Sequence, residues 1–74
     1  MKLIEKIEQA LKYTVTDDDG NLFLFETAFN AEFETDEEVN IILEKVNKVI
    51  DFYNNSENKE IVLEMEIEDI LKCV

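Results

Sequence analysis

The sequence predicts a single α+β domain with a small antiparallel sheet of three to four strands and two helices packed on one face of the sheet. Two observations predict this class: apolar residues alternate with polar ones in some stretches, and recur at steps of three and four in others. The expected order is α-β-β-(β)-α-β, with a short C-terminal helix as an open addition. A chain of 74 residues with 46% hydrophobic content fits one acidic domain, residues 1–74.

Two segments have the periodicity of amphipathic helices. Residues 1–12 place Leu3, Ile7 and Leu11 on one face and charged residues on the other. The second helix is predicted to start at a capping box formed by Thr35 and Glu38. Its apolar face consists of Val39, Ile42, Leu43, Val46, Val49, Ile50 and Tyr53. The helix is expected to end at Asn54, Asn55 and Ser56.

The segment after the first helix predicts a β-hairpin and its return arm. Residues 13–16 alternate, and residues 17–21 are Asp-Asp-Asp-Gly-Asn, which are typical turn residues. Residues 22–34 alternate again, but they exceed the usual strand length, so a bulge or turn is expected within 27–30. One face of this arm is aromatic and is expected to pack in the core beneath the helices, with Phe23, Phe25, Phe29 and Phe33.

A last strand is predicted from Lys59 onward. Its inward residues are Ile61, Leu63, Met65 and Ile67, and glutamates take the other face. Residues 68–74 could add a closing helical turn that buries Ile70, Leu71 and Val74.

Charge narrows the classes of function. Nineteen acidic residues face seven lysines, with no Arg and no His, so the net charge is −12. Such a chain is not expected to bind nucleic acid or anionic membranes directly, because a protein that binds either one needs basic residues to contact phosphates or anionic headgroups. Without an imidazole base or a guanidinium clamp, we expect no enzyme activity and no cofactor. Cys73 is the one cysteine and has no His partner to activate it.

The compartment and the metal content can also be predicted. A lone cysteine and an N-terminus that becomes charged again within a few residues favour a cytoplasmic protein. Asp17, Asp19, Gly20 and Glu26 partly match a calcium loop, but its first position is Val15 and its flanks are predicted strands. We therefore expect a plain hairpin turn and no specific metal site, while a weak calcium or magnesium buffer stays open as a third class of function.

The acidic residues fall into clusters that could bind a partner. On a strand, Glu64, Glu66 and Glu68 would project about 6.8 Å apart, close to two backbone steps of one DNA strand. Such a row could occupy Lys and Arg groups that normally hold phosphates. The simpler interpretation is a solubilising surface, although −12 exceeds the charge of about 2 to 8 that solubility needs in a small domain.

In size, acidity, lack of arginine and predicted element order, the chain resembles phage-encoded inhibitors that mimic nucleic acid, namely anti-CRISPR, anti-restriction and uracil-DNA glycosylase inhibitor proteins. The resemblance implies a basic, nucleic-acid-binding protein as the partner. It also implies these contact residues: Glu32, Glu34, Glu37, Glu38, Glu64, Glu66 and Glu68, with Asp17, Asp18 and Asp19 as a second patch.

A different class of function stays open, that of an adaptor or homodimer that pairs through an apolar patch or a sheet edge. Ile41, Phe52 and Val62 motivate it, because they fall outside the predicted apolar faces.

Overall fold

The computed structural model describes residues 1–73, and the protein is mainly helical. The predicted sheet of three to four strands with two helices is wrong: the described residues form five α-helices and one two-stranded sheet. The elements are α1 (Leu3–Ala10), a 3-10 turn (Leu11–Tyr13), β1 (Thr14–Thr16), β2 (Leu22–Leu24), α2 (Glu26–Phe33), α3 (Val39–Asn55), α4 (Lys59–Glu64) and α5 (Ile67–Cys73).

The predicted hairpin is confirmed. β1 and β2 pair antiparallel, and Gly20 in the turn has φ of +82°, a conformation that side chains disfavour. The Asp17 carboxylate accepts hydrogen bonds from the amides of Asp19 and Asn21, each at 2.9 Å. Asp17 therefore stabilises the local backbone, as in an Asx turn, whereas the carboxylates of Asp18 and Asp19 take no part in these hydrogen bonds.

The return arm differs from the prediction, because β2 ends at Leu24 and α2 begins at Glu26. Phe29 and Phe33 lie in the core, with ring centroids 5.1 Å apart, whereas Phe23 and Phe25 are exposed. A spacing of four puts two residues on one side of a strand and equally on one face of a helix. The alternation of the phenylalanines therefore could not distinguish the two structures.

The central helix α3 confirms the predicted stripe. Ile42, Val46, Val49 and Ile50 are buried along it, and it ends at Asn55 as expected. Its start is four residues later than predicted, and the capping box does not form. Instead, the Asp36 carboxylate accepts a hydrogen bond from the Glu38 amide at 2.8 Å.

The predicted strand after Lys59 is also wrong, because residues 59–64 form α4. Asn58 caps this helix, since its side chain accepts a bond from the Ile61 amide at 3.4 Å. Val62 is 5% exposed and Leu63 is 70% exposed, the reverse of the predicted faces. The C-terminal helix is confirmed with Ile70 buried, while Val74 lies outside the described residues.

Two adjoining apolar clusters form the core, and α3 contributes to both. The first joins α1, α2 and α3, and the second joins α3, α4 and α5. Leu22 and Leu24 pack the hairpin against the first cluster. The Asn54 side chain accepts from the Leu22 amide at 2.7 Å and donates to its carbonyl at 2.9 Å, so it takes the place of a third strand there.

None of the helices within residues 1–73 has both the length and the apolar composition needed to cross a membrane.

Candidate functional site

The negative charge of the protein is concentrated in one part of the chain. Residues 13–44, called the acidic segment below, contain ten acidic residues and no basic one. They carry ten of the twelve excess negative charges, since the rest of the chain has nine acidic residues against seven lysines. The acidic segment comprises the hairpin, α2, the connection to α3 and the first turns of α3.

Seven of the ten predicted contact residues lie in the acidic segment. Asp17, Asp18 and Asp19 are at the hairpin turn, Glu32 is on α2, and Glu34, Glu37 and Glu38 are in the connection between α2 and α3.

The other three predicted contact residues do not form a row. Glu64 is the last residue of α4, Glu66 lies in the connection between α4 and α5, and Glu68 is in the first turn of α5. Because no strand is present there, the regular spacing that suggested a match to DNA phosphates is absent. The observed order of helices and strands also differs from the predicted order on which part of the resemblance to the nucleic-acid mimics was based. The resemblance now depends on size and charge alone.

Part of the acidic segment stabilises the fold. The Glu32 carboxylate accepts hydrogen bonds from the Gln9 side chain and from the Tyr13 hydroxyl. These bonds attach α2 to α1 and to the 3-10 turn. Sequence reasoning missed this role, because Gln9 and Tyr13 are far from Glu32 in the chain.

Two further acids, Asp36 and Glu38, form ion pairs with Lys6 of α1. The Lys6 ammonium lies 3.0 Å from carboxylate oxygens of both Asp36 and Glu38. Its hydrogen bonds to Glu38 and then to Asp36 raise the pKa of Lys6. The Glu38 amide and then Lys6 lower the pKa of Asp36 below its ordinary value of 3.8. The cluster therefore favours the charged forms of both groups.

This cluster predicts how stability depends on pH. Because the pKa of Asp36 is lower in the folded protein than in the unfolded chain, its contribution is complete above pH 3.8 and is lost as the pH falls through the folded pKa. We expect Asp36→Asn to lower the free energy of unfolding by a constant amount from pH 7 to about pH 5, and by progressively less below that. Urea unfolding of both proteins at a series of pH values measures this difference. A difference that increases toward low pH would contradict the assignment.

Five acids of the acidic segment remain available to a partner. They are exposed, and their carboxylates make no hydrogen bond or ion pair within residues 1–73. They are Asp18, Asp19, Glu26, Glu34 and Glu37. Glu26, at the start of α2, was not among the predicted contact residues.

The same segment exposes apolar side chains that sequence reasoning assigned elsewhere or left out. Val15, Phe23 and Phe25 on and beside the hairpin are all exposed. The alternation placed the two phenylalanines in the core, and only the observed packing of the hairpin shows that they face solvent.

The three apolar residues that motivated the adaptor or homodimer hypothesis do not form one surface patch. Phe52 and Val62 belong to the second core cluster, whereas Ile41 is exposed on α3. On α4, it is Ile61 and Leu63 that are exposed.

The described residues include an apolar cleft and a free cysteine. A cleft of about 190 Å³ next to α3 has mainly apolar walls, and its polar side chains are those of Thr14 and Tyr53. No three Cys, Asp or Glu side chains of residues 1–73 are placed to hold a metal ion. Cys73 is exposed on α5.

In comparisons with known proteins, no family model matches the chain, no curated protein is significantly similar to it, and no solved structure is significantly similar to its fold.

Proposed function

We propose that this is a non-enzymatic cytoplasmic binding protein whose acidic segment occupies the nucleic-acid-binding groove of a basic partner protein. The observation that carries the proposal is the concentration of ten acidic residues, without one lysine, in residues 13–44.

Electrostatics explains why such a segment would compete with nucleic acid. Grooves that hold DNA or RNA are lined with Lys and Arg, which neutralise phosphates and release condensed counterions. Carboxylates of a folded protein neutralise the same side chains without a nucleic acid. The free acids Asp18, Asp19, Glu26, Glu34 and Glu37 are the contacts we propose first, because the fold does not use them.

Binding without catalysis agrees with the residues available. The chain has no His and no Arg, and the walls of its apolar cleft carry no carboxylate. General acid-base catalysis requires a carboxyl or imidazole group with a pKa shifted toward neutrality, usually by burial in such a cleft.

The experiment compares two variants with the same net charge. The first changes the five free acids of the acidic segment to amides, at positions 18, 19, 26, 34 and 37. The second changes five exposed glutamates outside it to Gln, at positions 57, 60, 64, 66 and 68. Each immobilised protein is incubated with nuclease-treated bacterial lysate and washed at low and high salt, and the retained proteins are identified by mass spectrometry.

We expect the wild type and the second variant to retain a DNA- or RNA-processing protein at low salt and to release it at high salt. The first variant should retain at most about a tenth as much of it. Equal loss in both variants would show that only net charge matters, and no retention by the wild type would contradict the proposal.

Exposure of Ile61 and Leu63 on α4 favours a second candidate function, a homodimer that pairs through this helix. Such a dimer would persist at high salt, because apolar contacts are not screened. Sedimentation equilibrium separates the candidates, since a mass near 8.7 kDa at every concentration excludes the dimer.

A further inference from the structure

The hairpin has an inner face and an outer face. Val15 lies directly opposite Phe23, and the Phe25 amide donates to the Tyr13 carbonyl at 2.7 Å, so the pairing continues one step beyond β2. Side chains alternate along a strand, and Leu22 and Leu24 face the core. Val15 and Phe23 therefore share the outer face, and Phe25, which follows β2 as the N-cap residue of α2, is exposed as well.

These three side chains place apolar surface in solvent on and beside the hairpin. Phe23 is 48% exposed, Phe25 is 50% exposed and Val15 is 37% exposed, and Val15 and Phe23 are cross-strand neighbours. Single exposed apolar residues are common on protein surfaces, but adjoining ones, including two aromatics, are typical of binding surfaces.

The acidic residues around this surface favour a basic partner protein over a second copy of the chain. In the chain, residues 17–19 follow Val15 after one residue, Thr16, and Glu26 follows Phe25 directly. Two copies that met through this face would bring like-charged rims together, which costs free energy. A partner with lysines and arginines around an apolar recess would match both the rim and the centre.

We propose that Val15, Phe23 and Phe25 are the apolar anchor through which the acidic segment docks on a basic protein, with the two phenyl rings in an apolar recess of that protein. This inference rests on the proposed function, and it assigns the chemistry of the partner's surface. The acids would speed association and set its salt dependence, while the anchor would slow dissociation.

The test uses two synthetic peptides of equal length and charge as probes. One is an amphipathic Lys/Leu helix, and in the other every Leu is replaced by Ser. Fluorescence anisotropy at low and moderate salt compares the wild type, Phe23→Ser/Phe25→Ser, and the matched control Ile61→Ser/Leu63→Ser, which removes the exposed apolar residues of α4. Circular dichroism confirms that each variant is folded.

We expect the wild type to bind the Lys/Leu peptide about tenfold more tightly than the Lys/Ser peptide. Phe23→Ser/Phe25→Ser should reduce this preference to less than about twofold while leaving salt-dependent binding to both peptides, and the α4 control should keep the preference.

Four results would overturn the anchor. Salt-dependent binding without any preference, or a preference lost only in the α4 control, overturns the anchor alone and leaves the proposed function standing. Absence of salt-dependent binding to either peptide overturns the proposed function together with it. A wild-type dimer that Phe23→Ser/Phe25→Ser dissociates, seen by sedimentation equilibrium, would identify a second copy as the occupant instead.

Discussion

Phe29→Ala is expected to lower the free energy of unfolding by about 3–5 kcal/mol, whereas Phe23→Ala should lower it by less than about 1 kcal/mol. Phe29 is 1% exposed and contacts the Phe33 ring within the first core cluster, so its removal leaves a cavity. Phe23 is about half exposed on the hairpin. A domain of this size has a total stability of about 4–11 kcal/mol, so Phe29→Ala alone could leave the protein partly unfolded.

Urea denaturation followed by circular dichroism measures both variants. If Phe29→Ala does not fold, Phe29→Leu gives a smaller loss that still exceeds the loss in Phe23→Ala. Similar losses for Phe29→Ala and Phe23→Ala would mean that the two rings share one buried strand face, as the alternation predicted, and would contradict helix α2.

Val62→Asp should unfold the protein, and Leu63→Asp should change its stability by no more than about 0.5 kcal/mol. The two variants add the same charge at neighbouring positions, so they differ only in burial. The Val62 side chain is buried in the second core cluster, where a carboxylate would be removed from water among mainly apolar side chains, whereas the Leu63 side chain is in solvent.

Thermal unfolding of the two aspartate variants is the measurement. The predicted strand requires the opposite order, with Leu63 inward and Val62 outward. A cooperative transition in Val62→Asp together with unfolding of Leu63→Asp would therefore restore the strand and contradict helix α4.

The sequence patterns that predicted correctly are those that only one structure satisfies. The stripe from Val39 to Ile50 has steps of three and four over several turns, which a strand cannot match. The Asp-Asp-Asp-Gly-Asn turn likewise favours a hairpin, and the observed positive φ of Gly20 explains the choice of residue. Helix α1 and the hairpin were predictable on these grounds.

The patterns that led to wrong predictions are short, and they match both the helical period of about 3.6 residues and the strand period of two. Phe29 and Phe33 are four residues apart, and residues 61–67 contain an apolar run that is compatible with either structure. Asn58 caps α4 in the structure, and Asn is a residue type that indicates a helix start, whereas the alternating glutamates favoured a strand.

The negative charge of the acidic segment was predictable from the sequence, but the role of each acid was not. The sequence shows the excess of acids and the lack of lysine between Lys12 and Lys45. Which acids serve the fold depends on tertiary contacts, such as those of Glu32 with Gln9 and of Lys6 with Asp36. The exposure of the hairpin phenylalanines depends on how the hairpin packs, which the sequence pattern does not specify.

The acidic segment and nucleic acid are proposed to bind the same groove of a partner. A titration of the wild type into a complex of the captured partner with a fluorescent DNA or RNA oligonucleotide measures this competition. We expect complete displacement of the oligonucleotide, with a competing affinity that falls steeply as salt rises. A ternary complex in which the oligonucleotide stays bound at saturating protein would contradict it.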